Sequence, residues 1–334
     1  MVEHTDRLRI AVTVEDLALK APFRIAGYTF ESMPVIVVSA SEDGHEGRGE
    51  AAGVYYLKDD VSHMIAALEQ IQPAVRAGLS RARLRAVMPA GGARNALDCA
   101  LWELEARQCG RSVWQLAGLA EPRPLVTTLT LSAEPPARMA EAACAYGDVK
   151  ALKAKLTGEV EQDVARVQTV RAACPGAWLG VDANQGYKPA SLATLVPALI
   201  ACDVRLIEQP FARGQEAWMD GLSLPIAVAA DESCQDLHEL DAMAGRFDVV
   251  NIKLDKCGGL TEGLMMAARA RELGLKIMVG NMIGTSLAMA PAFLLGQFCE
   301  IVDLDGPIWL RRDRPPAVEY RHGEVWVTPD SWGR

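Results

Sequence analysis

Lys153, Lys155, Asp182, Glu208, Asp231, Lys253, Asp303 and Asp305 form a spaced series of acids and bases. From Lys155, the steps to Asp182, Glu208, Asp231 and Lys253 are 27, 26, 23 and 22 residues. Each residue closes a short apolar run. Steps of that length fit one strand plus one helix, so these side chains recur at the same end of successive strands. Taken singly, an aspartate after a strand reads as a helix cap or turn residue, and a lysine there as a solvated side chain. Together they read differently. Three carboxylates converging from three consecutive strands would repel one another unless a cation neutralised them. Oxygen-only donors suit Mg2+ or Mn2+ rather than zinc, so Mg2+ is expected, one ion per subunit. The lysines on the second and sixth runs lie half a barrel apart and can face opposite sides of one substrate. Lysine acts as a base near neutral pH when burial and nearby cations depress its pKa. Two bases on opposite faces of one carbon, with a metal to hold an enediolate, describe a racemase or epimerase.

The elements that must position these residues are legible. Residues 7–56 read as strands, and 60–78 and 92–109 as helices. In the second helix Ala93, Ala96, Leu97, Ala100, Leu101 and Leu104 fall at helical spacing. This predicts an α+β module over residues 1–120, with EPRP (121–124) as a linker. Eight apolar runs follow: 125–131, 149–156, 178–184, 204–210, 226–232, 248–254, 275–281 and 300–306. Eight alternations of β and α are what a (β/α)8-type TIM barrel requires, here over residues 121–312. No GxGxxG follows any of the runs, which argues against a dinucleotide fold. The tail, 313–334, reads as a hairpin around His322-Gly323 that returns to the capping module. The fold class is therefore α/β, a barrel with an N-terminal α+β capping domain.

Composition bounds the partners. The chain has 334 residues, with 34 basic against 43 acidic side chains and a net charge of −9. That balance argues against nucleic acid or an anionic membrane as partner. Eight cysteines without CxxC spacing indicate neither a zinc site nor a disulfide framework. The opening MVEHTDRLRI lacks an apolar leader core and no apolar run approaches ~20 residues. A cytoplasmic protein acting on a small molecule is expected, with homo-oligomerisation left open.

KAK (153–155), DAN (182–184), EQP (208–210), ADES (230–233) and NIKLDKCGG (251–259) resemble the muconate-lactonizing subgroup of the enolase superfamily. The likeness extends to GRGE (47–50) and ARNALDCALWELEAR (93–107), and VDLDGP (302–307) resembles the dipeptide epimerases, those acting on L-Ala-D/L-Glu in particular. The resemblance implies that Asp182, Glu208 and Asp231 hold Mg2+, which chelates the substrate's terminal carboxylate. Lys155 and Lys253 would be the acid/base pair, serving the D- and L-configured carbon respectively, and Lys153 would stabilise the enediolate. Lys256 then falls in a loop, and Glu232 supports a ligand or a lysine. Thr130, Asn281, Met282 and Ile283 match substrate-contact positions, and Asp303 and Asp305 would take the α-ammonium of a dipeptide. One departure stands out. Relatives carry an arginine soon after a PF dipeptide, which reads the glutamate side chain; in PFRIAGYTFES (22–32) that place falls on Gly27 or Tyr28. Arg24 and Tyr28 are the candidate specificity residues of this loop, sharing strand parity if it is extended, although Arg24 fits a surface role equally. The same ligands and lysines also fit o-succinylbenzoate synthase or N-acylamino acid racemase, and a non-catalytic carboxylate-binding barrel is the third reading.

Overall fold

The computed structural model describes residues 7–328 and 330–333. The first six residues, which belong to the expected N-terminal module and to the stretch read for a leader, lie outside it with Pro329 and Arg334. Three antiparallel strands, Arg9–Ile25, Tyr28–Glu42 and His45–Ala51, form the N-terminal sheet. Its apolar face (Ile36, Val38, Ala40) is covered by the helix Gly92–Cys109 and the shorter helices before it. That long helix is buried along almost its whole length, because its other side meets the barrel.

Eight parallel strands make the barrel, in unbroken sequence order: Thr128–Leu131, Ala151–Lys155, Trp178–Asp182, Val204–Glu208, Ala227–Ala230, Val249–Lys253, Lys276–Gly280 and Ile301–Val302. Every one falls inside an expected apolar run. The runs are nearly continuous in apolar residues because helices cover the sheet outside while side chains fill it inside. Between the eighth and first strands the seam is closed by side chains. Thr127 Oγ1 accepts from Leu304 N at 2.9 Å, Thr128 Oγ1 donates to Asp303, and Thr130 N donates to Asp305 Oδ2 at 2.6 Å.

The hairpin Glu319–Arg321/Glu324–Trp326 adds to Leu125–Val126, not to the N-terminal sheet. The chain beyond it does reach the capping module: Trp332 Nε1 donates to Arg48 O at 2.8 Å, and Val113 N to Gly333 O at 2.8 Å. No helix among the described residues is long and apolar enough to cross a membrane.

Cap and barrel are tied by buried polar groups that sit next to the sixth strand. Arg94 donates to Gly258 O, Cys257 O and Glu262, and Asp98 accepts from Thr261 N and Oγ1. The pair Gly258-Gly259 makes room for this: a Cβ on either would fall within 2.2–2.5 Å of Arg94 or Asp98. Asp255 Oδ1 accepts Ala52 N (2.9 Å) and Gly53 N (3.0 Å), fixing the cap loop that carries Tyr55. Burial pushes the Asp255 carboxyl up to about 7 despite those two donors, helped by Asp59 and Glu50. A folded-state value above the unfolded one means that the native state holds the proton longer, so stability falls as pH rises from about 4 to 7. Asp255→Asn, which keeps an acceptor for both amides, should flatten that part of the profile; urea melts at pH 4.5 and 7.5 measure it. Equal slopes in the two proteins would contradict the assignment.

Candidate active site

Two residues apart on one strand, Lys153 and Lys155 share its inward face. Lys155 Nζ lies 2.6 Å from Asp182 Oδ2, and Lys253 Nζ, from the sixth strand, 2.6 Å from Asp231 Oδ2. Lys153 Nζ contacts Asp303 and lies 3.3 Å from Glu208 Oε2 and 3.9 Å from Asp182 Oδ2. The barrel thus brings together all eight residues of the spaced series. Each is buried.

Asp182, Glu208 and Asp231 offer oxygens that all lie within 4.8 Å of one another. Asn251 Nδ2 donates to Glu208 Oε1 at 2.6 Å, but Glu208 Oε2 accepts no hydrogen bond, and neither does Glu232 Oε2 or Asn184 Oδ1. Buried acceptors without donors around three convergent carboxylates fit a hard cation. The charge balance agrees. Asp182, Glu208, Asp231, Glu232, Asp303 and Asp305 face Lys153, Lys155, Lys253 and Lys256, all buried. Fully ionised, the set falls two positive charges short, the charge of one Mg2+. Burial and the neighbouring carboxylates accordingly push Glu208 up to about 7 and Glu232 to about 8. Asp305 rises to about 6 by burial and the charge of Asp303. Burial works against Asp231 as well, yet Lys253 and Lys256 hold it well below the carboxylate range.

The sequence predicts a lysine pKa lowered by burial together with a bound cation, and the structure shows the burial. Burial pulls Lys153 and Lys253 down, but Asp303 and Glu208 around the first, and Asp231 and Glu208 around the second, hold both above the ordinary value. The lysines are the counter-ions of the acids.

Lys256 is not the loop residue expected. It sits in a buried helical turn, Leu254–Cys257, and its Nζ donates to Asp231 O (2.6 Å), Asp231 Oδ1 (2.7 Å) and Asn251 O (2.9 Å). It therefore anchors the third carboxylate. Gln209 holds the backbone of the same residue, its Oε1 accepting Asp231 N (2.9 Å) and Ser233 N (3.1 Å). Sequence reasoning passed over both Gln209 and Asn251. Both lie in the motifs EQP and NIKLDKCGG, where Gln209 follows a ligand and Asn251 stands two residues before Lys253 on the same inward face.

Above these charges lies a solvent-open cavity of about 80 Å3, lined by Thr130, Lys153, Lys155, Asn281, Met282, Ile283, Asp303 and Asp305 from the barrel. Asn281 Nδ2 donates to Asp303 O, which places the seventh strand's end against the eighth's. Phe23, Ile25, Phe30, Met33 and Tyr55 close it from the cap. Arg24 and Tyr28 do not share strand parity, because the chain turns at Ala26-Gly27. Ile25 pairs with Tyr28, Arg24 with Thr29 and Phe23 with Phe30. Arg24 consequently faces away from the cavity and pairs with Glu134, while Tyr28 packs on Phe30 and Tyr55 at its rim.

Residues 8–118 match the family model for the mandelate racemase/muconate lactonizing enzyme N-terminal domain, and residues 136–333 the enolase C-terminal domain-like model. The chain belongs to the enolase superfamily. Within the superfamily it is 37% identical to the L-Ala-D/L-Glu epimerase of Escherichia coli (strain K12), over 95% of this chain and 98% of that one. It is 41% identical to the N-acetyl-D-glutamate racemase of a Pseudoalteromonas species, over 71% of this chain and 75% of the relative. An Agrobacterium tumefaciens enolase family member with homology to dipeptide epimerases, solved with sodium and L-Ala-L-Glu, superposes with a TM-score of 0.93. It is 37% identical, over 98% of this chain and 100% of that one. A Methylococcus capsulatus dipeptide epimerase solved with Mg and L-Arg-D-Lys superposes at 0.89, with 30% identity and 97% of each chain covered.

Mg2+ bound at the triad should raise the unfolding midpoint, by about 2.7 kcal/mol of stability at one hundred times the dissociation constant. Thermal melts with excess EDTA and with saturating Mg2+ would show it, and Asp182→Asn should erase most of the increment. Identical midpoints with and without the ion would remove the metal from the site.

Proposed function

We propose that this protein epimerises dipeptides, inverting the α-carbon of the C-terminal residue. The observation that supports it best is the pair Lys155 and Lys253, from the second and sixth strands, each on its own carboxylate and flanking the triad. One lysine removes the α-proton from one face and the other delivers a proton to the opposite face; the reverse reaction exchanges their roles. Mg2+ held by Asp182, Glu208 and Asp231 would withdraw charge from the substrate carboxylate and so acidify the α-hydrogen. Lys153, between the triad and Asp303, adds a fixed positive charge where negative charge gathers on that carboxylate. A cation on the triad would also compete with Lys253 for the oxygens of Asp231 and Glu208, which removes part of what holds its pKa high.

At the other end of the cavity, Asp303 and Asp305 supply the partner for an α-ammonium. Asp303 already holds an ammonium, that of Lys153, and Asp305 keeps one oxygen beyond its bond to Thr130 N. A dipeptide zwitterion spans the two ends, carboxylate on the triad and ammonium on the aspartates. L-Ala-L-Glu, for which relatives are named, is the reference compound.

Lys155→Ala and Lys253→Ala should each abolish inversion of both diastereomers, by two to four orders of magnitude in kcat. Exchange of the α-proton with deuterated solvent should survive in each on the face of the remaining lysine, read by NMR. Normal turnover by Lys253→Ala would overturn the pairing.

The Pseudoalteromonas relative favours a second reading, racemisation of N-acylamino acids, which have no ammonium. Asp303→Asn and Asp305→Asn decide between the two. A charged hydrogen bond is worth about 1.5–3 kcal/mol, so each variant should lose roughly ten- to a hundredfold in kcat/KM on a dipeptide and much less on its N-acetyl analogue. If the wild type prefers the acetylated compound, the second reading replaces the first.

A further inference from the structure

The reading above fixes three directions at the reacting carbon. Its carboxylate points to the triad, its amide nitrogen toward the eighth strand, and its hydrogen along the line joining the two lysines. In the planar species between the two configurations the remaining substituent, the side chain, lies about 120° from both the carboxylate and the nitrogen. That direction is out of the barrel, toward the cap.

What waits there is aromatic. Phe23 meets the Trp309 ring edge-on at 4.6 Å, Phe30 meets Tyr55 at 5.2 Å, and Ile25 and Ile283 fill the wall between barrel and cap. The cationic side chains lining the cavity are Lys153 and Lys155, both already engaged by Asp303 and Asp182. Arg24 alternates with Phe23 and Ile25 on the strand, so when those two face inward it faces out, onto Glu134. The Tyr55 hydroxyl is the polar atom the cap side chains contribute, and it carries no charge, since burial raises its pKa.

We infer that this subsite selects an apolar or aromatic side chain at the epimerised residue over glutamate, with Phe23, Phe30, Tyr55 and Trp309 as the specificity-determining residues. The inference rests on the direction of the side chain given above. A glutamate placed there would bury a carboxylate among aromatic and aliphatic side chains, where the nearest cation, Lys155 at 6.0 Å from the Phe23 ring centroid, is held by Asp182 and committed to the α-carbon. A leucine or phenylalanine would bury its whole surface against rings instead. The names of two of these relatives carry glutamate; among the described residues no arginine lines the place where a glutamate would sit, and the two lysines there are engaged by carboxylates.

The experiment is a kcat/KM panel on the Mg2+-loaded wild type: L-Ala-L-Leu, L-Ala-L-Phe, L-Ala-L-Gln and L-Ala-L-Glu, with the N-acetyl derivatives of the same four residues in parallel. Leucine and phenylalanine should exceed glutamate at least tenfold, and glutamine should fall between, because it has the shape of glutamate without the charge. Phe30→Arg should narrow or invert the order by supplying a cation. Glutamate equal to or better than leucine and phenylalanine in the wild type would overturn the inference while leaving dipeptide epimerisation standing. Turnover of only the N-acetyl series would defeat the dipeptide reading instead, and the order within that series would still decide the subsite.

Discussion

Ten ionisable groups share one buried barrel mouth, and their mutual neutralisation is the constraint on which the architecture depends. A carboxylate or ammonium removed from water costs several kcal/mol unless it is paired. The C-terminal ends of the strands and the turn after the sixth deliver the pairs: Lys155 on Asp182, Lys153 between Glu208 and Asp303, Lys253 and Lys256 on Asp231. Any change that moves one strand relative to its neighbour separates two charges. The parallel pairing from the first strand to the eighth, with one register shift at Leu179/Gly180, is the geometric expression of that requirement.

The cap is part of the same arrangement. Asp255 and Arg94 attach it directly behind the sixth strand, so the element that carries Lys253 and Lys256 also locates the loop of Tyr55. The charged floor of the cavity comes from the barrel, and its apolar roof largely from the cap. The buried charges thus come from one part of the chain and most of the apolar roof from another.

Most of the barrel and its acids and bases were legible because a fixed strand–helix period converts sequence spacing into position at one rim. Lys253 and Lys256 show where that rule stops. Both belong to one motif, and spacing selects the lysine that ends the strand, but it does not reveal that the second, a turn later, is buried on the same carboxylate. Asn251, in the middle of the sixth strand, and Gln209, just past the end of the fourth, were missed for a related reason: a neutral amide shows no role until its partners are known. Arg24 and Tyr28 were misplaced relative to each other because a tight turn at Gly27 reverses the chain, and alternation along an extended strand says nothing across a reversal. The lysine pKa values depend on which charges lie nearest, a property of three-dimensional contacts and not of order along the chain.

The seam between the eighth and first strands has a consequence for how this active site can change. Its side-chain bonds, Thr128 to Asp303 and Thr130 to Asp305, use the very aspartates proposed to recognise the ammonium. Loss of either aspartate therefore loosens the closure of the barrel as well as emptying a subsite. A lineage drifting toward substrates without an amine would have to re-zip this joint with new donors before, or together with, discarding the old recognition. The roof residues pack one another and a small apolar cluster without bonding across the seam, so a change of side-chain preference leaves that joint in place.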